Sequence, residues 1–302
     1  MNKFNVMINW RMAIIGGIVA LAFLLEPTVM AAIPGSVVPS VATGSVTRLL
    51  RYGFELRNTT AAPIPIGELW VRVPLSLTPW QRCDKVSGNF PAERSTLSDG
   101  GQMLQYCWTN IPPYATREFW VEAVVEMGPQ VGASLPITHA CEAIGLFDYR
   151  AAVFKQTGFL TQAPGSVSSE AGRVCKWVFD YVHADNYSGE NRGALYALQK
   201  ASGDCSEKMS LFVALMRRMH VPSLGVGGVP VSRNTVIRPT DYHNWAVYRD
   251  GRAWEVCDPS LGRCGAAALP LVAFEWIDGD VPSTDFVRRY RVRGEGLTAR
   301  MK

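Results

Sequence analysis

The chain has 302 residues, of which 48% are hydrophobic and 19% are charged, and its formal net charge is +4. This length and apolar content are sufficient for two folded domains with buried cores. The small charge excess, without a stripe of basic and aromatic residues, argues against a nucleic-acid-binding protein.

The first 31 residues have the pattern of a cleavable secretory signal peptide. Lys3 and Arg11 precede an apolar and glycine-rich run over residues 13–25, and Val29-Met30-Ala31 offers a cleavage site of small residues. The run is shorter than the roughly 20 residues that cross a bilayer, so we predict cleavage and no stable membrane span afterwards. No cysteine follows the run, which argues against a lipoprotein anchor. The expected location is periplasmic or secreted.

Residues 42–128 have the pattern of an antiparallel β-sandwich. Short stretches of alternating apolar residues recur here, at residues 48–56, 68–73, 103–109 and 118–125. Asn58-Thr59-Thr60 and Pro74 lie between these stretches and favour turns. Several short strands at this spacing predict a domain of two packed sheets.

A second domain is predicted at residues 135–290, after a linker near Gly128-Pro129-Gln130-Val131-Gly132. Residues 168–183 carry apolar side chains at helical spacing, with Ser168 or Ser169 as the N-cap. The final residues, 291–302, are basic and are predicted to form a solvated tail.

Cys205 has the sequence context of a nucleophile at the start of a helix. Apolar residues follow it at three- and four-residue spacing: Met209, Phe212, Val213, Met216 and Met219. Asp204 is a suitable N-cap residue, and Gly203 lets the chain enter the helix sharply. A cysteine in the first turn lies at the positive end of the helix dipole, which favours the reactive thiolate. The alternative for Cys205 alone is a buried structural cysteine on a core helix.

Residues 241–258 have the pattern of a β-hairpin around Asp250-Gly251, a dipeptide that favours a two-residue type I′ turn. With this turn, paired residues have numbers that sum to 501, so His243 lies opposite Asp258. Opposed side chains have Cβ atoms roughly 5 Å apart, which lets a carboxylate accept from an imidazole N–H. The hairpin therefore predicts the base and the orienting carboxylate of a nucleophilic triad.

Four segments together resemble the transglutaminase-like superfamily, whose chemistry is papain-like. They are Gly203-Asp204-Cys205, the end of the apolar helix at residues 219–222, His243-Asn244-Trp245, and Trp254 with Asp258-Pro259-Ser260. The resemblance covers about residues 194–262. It implies a papain-like α+β catalytic domain, so the predicted fold class is α+β, with the antiparallel β-sandwich first.

By this resemblance, Cys205 is the nucleophile, His243 is the general base and Asp258 orients it. The charged pair Glu207-Lys208 in the first helical turn departs from the family pattern, and we expect it to affect substrate preference. The second oxyanion donor is not fixed by a motif. The candidates for oxyanion or substrate contacts are Trp177, Tyr187 and Trp245.

These features predict an exported cysteine-dependent acyl-transfer enzyme that acts on protein or peptide amides through a thioester. Hydrolysis, as in a peptidase or amidase, is slightly favoured over crosslinking, and no cofactor is expected. The alternative is a non-catalytic binding or assembly protein whose β domain binds a protein partner and whose core is degenerate. The presence of Cys205, His243 and Asp258 together argues against this alternative.

All seven cysteines follow the predicted signal peptide. An odd number in an exported protein suggests one free thiol, which we assign to Cys205 because of its expected role. Sequence proximity pairs the other six as Cys83–Cys107, Cys141–Cys175 and Cys257–Cys264. The last pair is expected to hold the loop after Asp258 against the hairpin. The chain has no Cys-x-x-Cys motif and its histidines are scattered, so no metal site is predicted.

Overall fold

The computed structural model describes residues 44–302, except 98–99, 129–134, 136–139, 159–164, 186–190, 266–269 and 280–288. The predicted signal peptide and most of the predicted linker lie outside the described residues. Residues Val41–Lys302 belong to one compact unit. Among the helices in the described ranges, none is long and apolar enough to cross a membrane.

The N-terminal region is built from the strands β1 (Val46–Asn58), β2 (Ile64–Val73), β3 (Leu77–Thr78), β4 (Gln81–Gly88), β5 (Glu93–Thr96), β6 (Gln102–Ile111) and β7 (Thr116–Met127). The following region contains the helices α1 (Val167–Tyr181), α2 (Gly193–Lys200) and α3 (Cys205–Arg218). Its strands are β8 (His183–Ala184), β9 (Ser202–Gly203), β10 (Ser223–Pro230), β11 (Thr235–Val236), β12 (His243–Asp250), β13 (Ala253–Asp258), β14 (Arg263–Cys264) and β15 (Leu271–Ile277). Two C-terminal strands follow, β16 (Tyr290–Arg293) and β17 (Leu297–Met301), and 3₁₀ helices cover Gly145–Phe147, Ala152–Thr157 and Pro239–Asp241.

The N-terminal strands form a β-sandwich, which confirms the predicted architecture of this region. One sheet has the order β11-β1-β7-β4-β3, with β17 also paired to β1, and the other has the order β16-β2-β6-β5. The long pairings are antiparallel, and the short contact of β1 with β11 is parallel. Alternate residues of β1 face the core between the sheets, namely Leu50, Tyr52, Phe54 and Leu56.

The prediction of a solvated tail at residues 291–302 is wrong. β17 pairs with β1 and β16 pairs with β2, both antiparallel. Leu297 and Met301 face the sandwich core, whereas Arg300 and Lys302 lie outside it and pair with acidic side chains of neighbouring strands. Alternate residues of this segment face the core, and the charged side chains between them face solvent. The basic composition of the segment obscured this period-two pattern in the sequence. The C-terminus of the chain therefore completes the N-terminal sandwich.

The second region is a five-stranded antiparallel sheet in the order β14-β13-β12-β10-β15, with α3 packed against one face. Ala246 and Tyr248 of β12 face α3, whereas Trp245 and Val247 face the opposite side. α3 is buried along nearly its whole length, as its apolar stripe predicts. The sheet and the helix together place the start of α3 beside the start of β12.

A buried glutamine attaches the sandwich to β15, the outer strand of the second sheet. Gln81 Nε2 donates to the carbonyl oxygens of Leu75 (2.9 Å) and Ala273 (3.0 Å), and Gln81 Oε1 accepts from Ala273 N (2.7 Å). Val229 and Val272 of the second sheet also pack in the sandwich core. The two regions are therefore joined by shared core packing as well as by hydrogen bonds.

Candidate active site

Helix α3 begins at Cys205, and a capping box fixes its first turn. The Asp204 carboxylate accepts from Ser206 N (2.7 Å), and the Glu207 carboxylate accepts from Asp204 N (3.0 Å). A Cβ at Gly203 would overlap the Glu207 side chain, so glycine is needed for this close approach. The half-buried Cys205 thiol thus lies at the positive end of a well-capped helix.

The charged pair Glu207-Lys208 faces the protein interior. Glu207 is fully buried and accepts from Arg192 Nη2 (2.9 Å) and Arg192 N (2.8 Å). Lys208 is 7% exposed, and its ammonium group lies over the Phe179 ring. Both charged groups are thus held against neighbouring elements, and the expected effect of this pair on substrate preference stays a prediction.

His243 and Asp258 form the hydrogen bond that the hairpin predicts. The distance between His243 Nε2 and Asp258 Oδ2 is 2.7 Å, and Asp258 is fully buried. The other carboxylate oxygen, Oδ1, accepts from the backbone N–H groups of Ser260 (2.9 Å) and Leu261 (3.3 Å). Both oxygens have partners, so the carboxylate is held in one orientation toward the imidazole.

The predicted register of this hairpin is nevertheless wrong by two residues. Paired residues have numbers that sum to 503, with Val247 opposite Val256, because the turn residues are Gly251-Arg252. Gly251 has a φ of +59°, as the first turn residue of a type II′ turn requires. A shift of two residues keeps each side chain on its predicted face. His243 and Asp258 therefore become diagonal neighbours, which remain within reach of each other.

The Cys205 side chain lies close enough to His243 to influence the pKa of its imidazole, which brings the three predicted residues together. Nε2 of His243 faces Asp258, and this leaves Nδ1 for the thiol. Burial is the largest single influence on the imidazole pKa and opposes protonation. The hydrogen bonds and charges of Asp258 and Cys205 together outweigh burial and raise the pKa of His243 to about 9. The imidazole is therefore protonated at neutral pH.

A second contact joins the same two elements, and sequence reasoning missed it. Asn244 Nδ2 donates to Ser206 Oγ (2.8 Å), and both side chains are buried. These residues directly follow His243 and Cys205, so the bond fixes the spacing between α3 and β12 beside the reacting groups. Their adjacency to the two motif residues is the one sequence signal that could have identified them.

Comparison with known proteins finds a family similarity over this part of the chain. Residues 156–259 match the family model of the transglutaminase-like superfamily. The chain contains a transglutaminase-like domain. No curated protein matches the chain in a sequence comparison.

The fold of the chain is similar to that of a candidate cysteine protease from Cytophaga hutchinsonii. The TM-score is 0.57 and the identity 14%, over 85% of this chain and 91% of that chain. The periplasmic domain of TgpA from Pseudomonas aeruginosa is a weaker match, with a TM-score of 0.38 and 14% identity over 70% of this chain and 88% of that domain. At 14% identity, the likeness to the Cytophaga hutchinsonii protein concerns the fold alone.

Of the three candidates for oxyanion or substrate contacts in the transglutaminase-like domain, Trp245 is not accessible. Its side chain is fully buried, and its ring lies beside the His243 ring with the centroids 6.3 Å apart. Trp245 therefore supports the imidazole from within the protein. Trp177 lies on α1, where it stacks on Tyr181 with the centroids 4.5 Å apart, and its role stays a prediction. Tyr187 lies outside the described residues.

One predicted disulfide is present next to the site. Cys257 is bonded to Cys264, which ties β14 to β13 directly before Asp258. The predicted pair Cys83–Cys107 is wrong, because Cys83 faces the core from one sheet and Cys107 is exposed on the other. Cys205 is also not the single free thiol, since the described residues include free thiols at Cys83, Cys107, Cys141, Cys175 and Cys205.

The predicted pair Cys141–Cys175 is wrong as well, because Cys141 is exposed and Cys175 is buried on α1. The Cys175 thiol donates to the backbone oxygen of Asp258 at 3.6 Å. Burial first, and the charge of Asp258 second, raise the pKa of Cys175 to about 12, so this thiol stays neutral. The sulfur atoms of Cys175, Cys257 and Cys264 lie within 4.8 Å of one another. Two of them are bonded to each other and are not thiolate ligands for a metal ion.

Proposed function

We propose that the chain is an exported cysteine-dependent enzyme that hydrolyses amide bonds of proteins or peptides through a thioester at Cys205. The transglutaminase-like domain supports a cysteine-dependent enzyme in general. The finer proposal depends on Cys205 lying beside His243, whose imidazole is hydrogen-bonded to the buried Asp258. This arrangement puts a nucleophile, a base and an orienting group next to one another.

The proposed reaction begins when His243 takes the proton of the Cys205 thiol and Sγ attacks the carbonyl carbon of an amide. We assign stabilisation of the resulting oxyanion to the backbone N–H of Cys205 at the start of α3. His243 gives its proton to the amide nitrogen, the C–N bond breaks, and an amine leaves the thioester behind. A water molecule then loses a proton to His243 and attacks the thioester, which releases the carboxylic acid and restores the thiol. Asp258 keeps the imidazole in one tautomer throughout.

Hydrolysis and crosslinking share every step up to the thioester, which water resolves in one case and an amine in the other. The test therefore incubates the purified protein with casein and a fluorescent primary amine. We expect new peptide ends and little incorporation of the amine. Incorporation in excess of cleavage would replace hydrolysis with crosslinking.

Two variants assign either activity to the proposed nucleophile. Cys205→Ala is expected to abolish it, whereas Cys107→Ala, which removes an exposed thiol of the sandwich, is expected to leave it unchanged. Full activity in Cys205→Ala would overturn the proposed function and favour a binding role for the chain.

A further inference from the structure

A row of buried and half-buried polar side chains connects the β-sandwich to the residue next to the proposed base. Tyr242 directly precedes His243, and its hydroxyl donates to Glu275 Oε1 on β15. Glu275 Oε2 forms an ion pair with Arg72 Nε on β2 at 3.3 Å. The side chains of Arg72 and Glu275 are 6% and 17% exposed, so solvent screens this pair weakly. These contacts therefore link Arg72 of the sandwich, through Glu275, to the residue that precedes β12.

The hydrogen bond between Tyr242 and Glu275 passes over an entire strand. The strand order is β12-β10-β15, and Gly227 of β10 is paired with Asn244 on one side and with Glu275 on the other. A Cβ at Gly227 would overlap the Tyr242 hydroxyl oxygen and lie 2.7 Å from Glu275 Oε1. Glycine at this position is what leaves room for the bond.

The Arg289 guanidinium covers the Tyr242 ring, 4.5 Å from the ring centroid. The ring also borders a small, mostly apolar cavity of about 20 Å³, so it lacks some packing partners there. The directional bond to Glu275 therefore helps to hold the ring. Burial first, and the charge of Glu275 second, raise the pKa of Tyr242 well above its usual range. The hydroxyl therefore remains a hydrogen-bond donor.

We propose that Tyr242, Glu275 and Arg72 are positioning residues that hold the start of β12 so that His243 meets its two partners. This inference rests on the proposed role of His243 as the base. Arg72 orients the Glu275 carboxylate, the carboxylate holds the Tyr242 hydroxyl, and the Tyr242 backbone leads directly into His243. The β-sandwich thus has a part in the active site although it supplies no reacting atom.

Two variants interrupt the row in different ways. Tyr242→Phe removes one buried oxygen atom, and Gly227→Ala obstructs the hydrogen bond while both partners remain. Tyr248→Phe and Gly172→Ala are the matched controls. The Tyr248 hydroxyl lies near Ser168 on α1, and a Cβ at Gly172 meets no atom within 4 Å.

The readouts are the rate of Cys205 alkylation by iodoacetamide, located by peptide mapping, and the pKa of His243 from an NMR titration. In both test variants we expect alkylation to slow by about tenfold and the pKa of His243 to fall by about one unit. The controls are expected to keep wild-type values. Thermal unfolding checks that each variant is folded. If Gly227→Ala does not fold, the result for Tyr242→Phe alone tests the positioning role.

Wild-type values for Tyr242→Phe in both readouts would overturn the positioning role. The failure of the proposed function looks different, because it concerns the wild-type site itself. If His243→Ala leaves the alkylation rate of Cys205 unchanged, His243 does not activate the thiol. This conclusion does not depend on the result for Tyr242→Phe.

Discussion

The substitution Asp258→Asn tests the electrostatic basis of the site, because it removes one charge and almost no volume. The pKa of His243 is about 9, compared with an ordinary value of 6.5. This difference of about 2.5 units corresponds to roughly 3 kcal/mol in favour of the imidazolium. Burial of the imidazole opposes protonation and is the same in the variant, whereas the bond and the charge of Asp258 are lost. We therefore expect the pKa of His243 to fall by about two units.

The same pKa difference predicts how stability depends on pH. The folded protein binds the His243 proton more tightly than the unfolded chain does. This contribution is therefore complete below about pH 6.5 and is lost as the pH rises through about 9. We expect the wild type to lose roughly 3 kcal/mol of unfolding free energy from this source between about pH 6 and about pH 10. Most of this loss is expected to be missing in Asp258→Asn.

An NMR titration of the imidazole Cε1–H signals measures the pKa directly, and the chain has four histidines, so the signals are few. His243→Gln assigns the signal of interest. Asp250→Asn is the matched control, because Asp250 lies on the same hairpin and bonds to Ser168. An unchanged pKa of His243 in Asp258→Asn would show that the carboxylate is not what keeps the imidazole protonated.

Three further predictions concern the free energy of unfolding, measured with urea. Cys264→Ser is expected to lower it by about 2 kcal/mol, because the disulfide to Cys257 closes a short loop. Arg217→Met is expected to lower it by about 3 kcal/mol, because three backbone carbonyl groups would lose the buried guanidinium as their donor. Glu207→Gln is expected to cost roughly 3 kcal/mol near neutral pH, because it breaks a buried ion pair with Arg192. Burial raises the pKa of Glu207, but hydrogen bonds from Arg192 and Asp204 lower it below its ordinary 4.5, so the cost shrinks as the pH falls below about 4.5.

Each of these changes has an exposed control of the same chemistry. They are Cys107→Ser, Arg150→Met and Glu93→Gln, and we expect each to lie within about 0.5 kcal/mol of wild type. If a substitution at a buried residue lowers the free energy of unfolding by no more than its exposed control does, the contacts assigned to the buried residue are contradicted.

The reacting groups could be predicted from the sequence because the signals for them are local. A capping residue and an apolar stripe locate Cys205, and His243 and Asp258 lie 15 residues apart in one hairpin. The register error of two residues did not separate His243 from Asp258, because side chains alternate with a period of two. An error of one residue would have put them on opposite faces of the sheet.

Contacts between distant parts of the chain could not be predicted in the same way. Tyr242 and Glu275 are 33 residues apart. Tyr242 directly precedes β12 and Glu275 lies on β15, the second neighbour of β12, so their bond depends on the strand order and on Gly227 between them. Arg300 meets Glu55 across 245 residues, and the local basic composition indicated a solvated tail instead of a strand. The two wrong disulfides have the same origin, since proximity in sequence did not mean proximity in the fold.

The most direct test of the account is the rate of iodoacetamide alkylation at Cys205, measured by peptide mapping of the unreduced protein with and without His243→Ala. The exposed thiol of Cys107 serves as an internal reference in the same sample. We predict that Cys205 reacts faster than Cys107 at about pH 7 and that His243→Ala slows Cys205 by roughly tenfold or more while Cys107 is unaffected. Equal rates at Cys205 in the two proteins would contradict the claim that His243 activates this thiol.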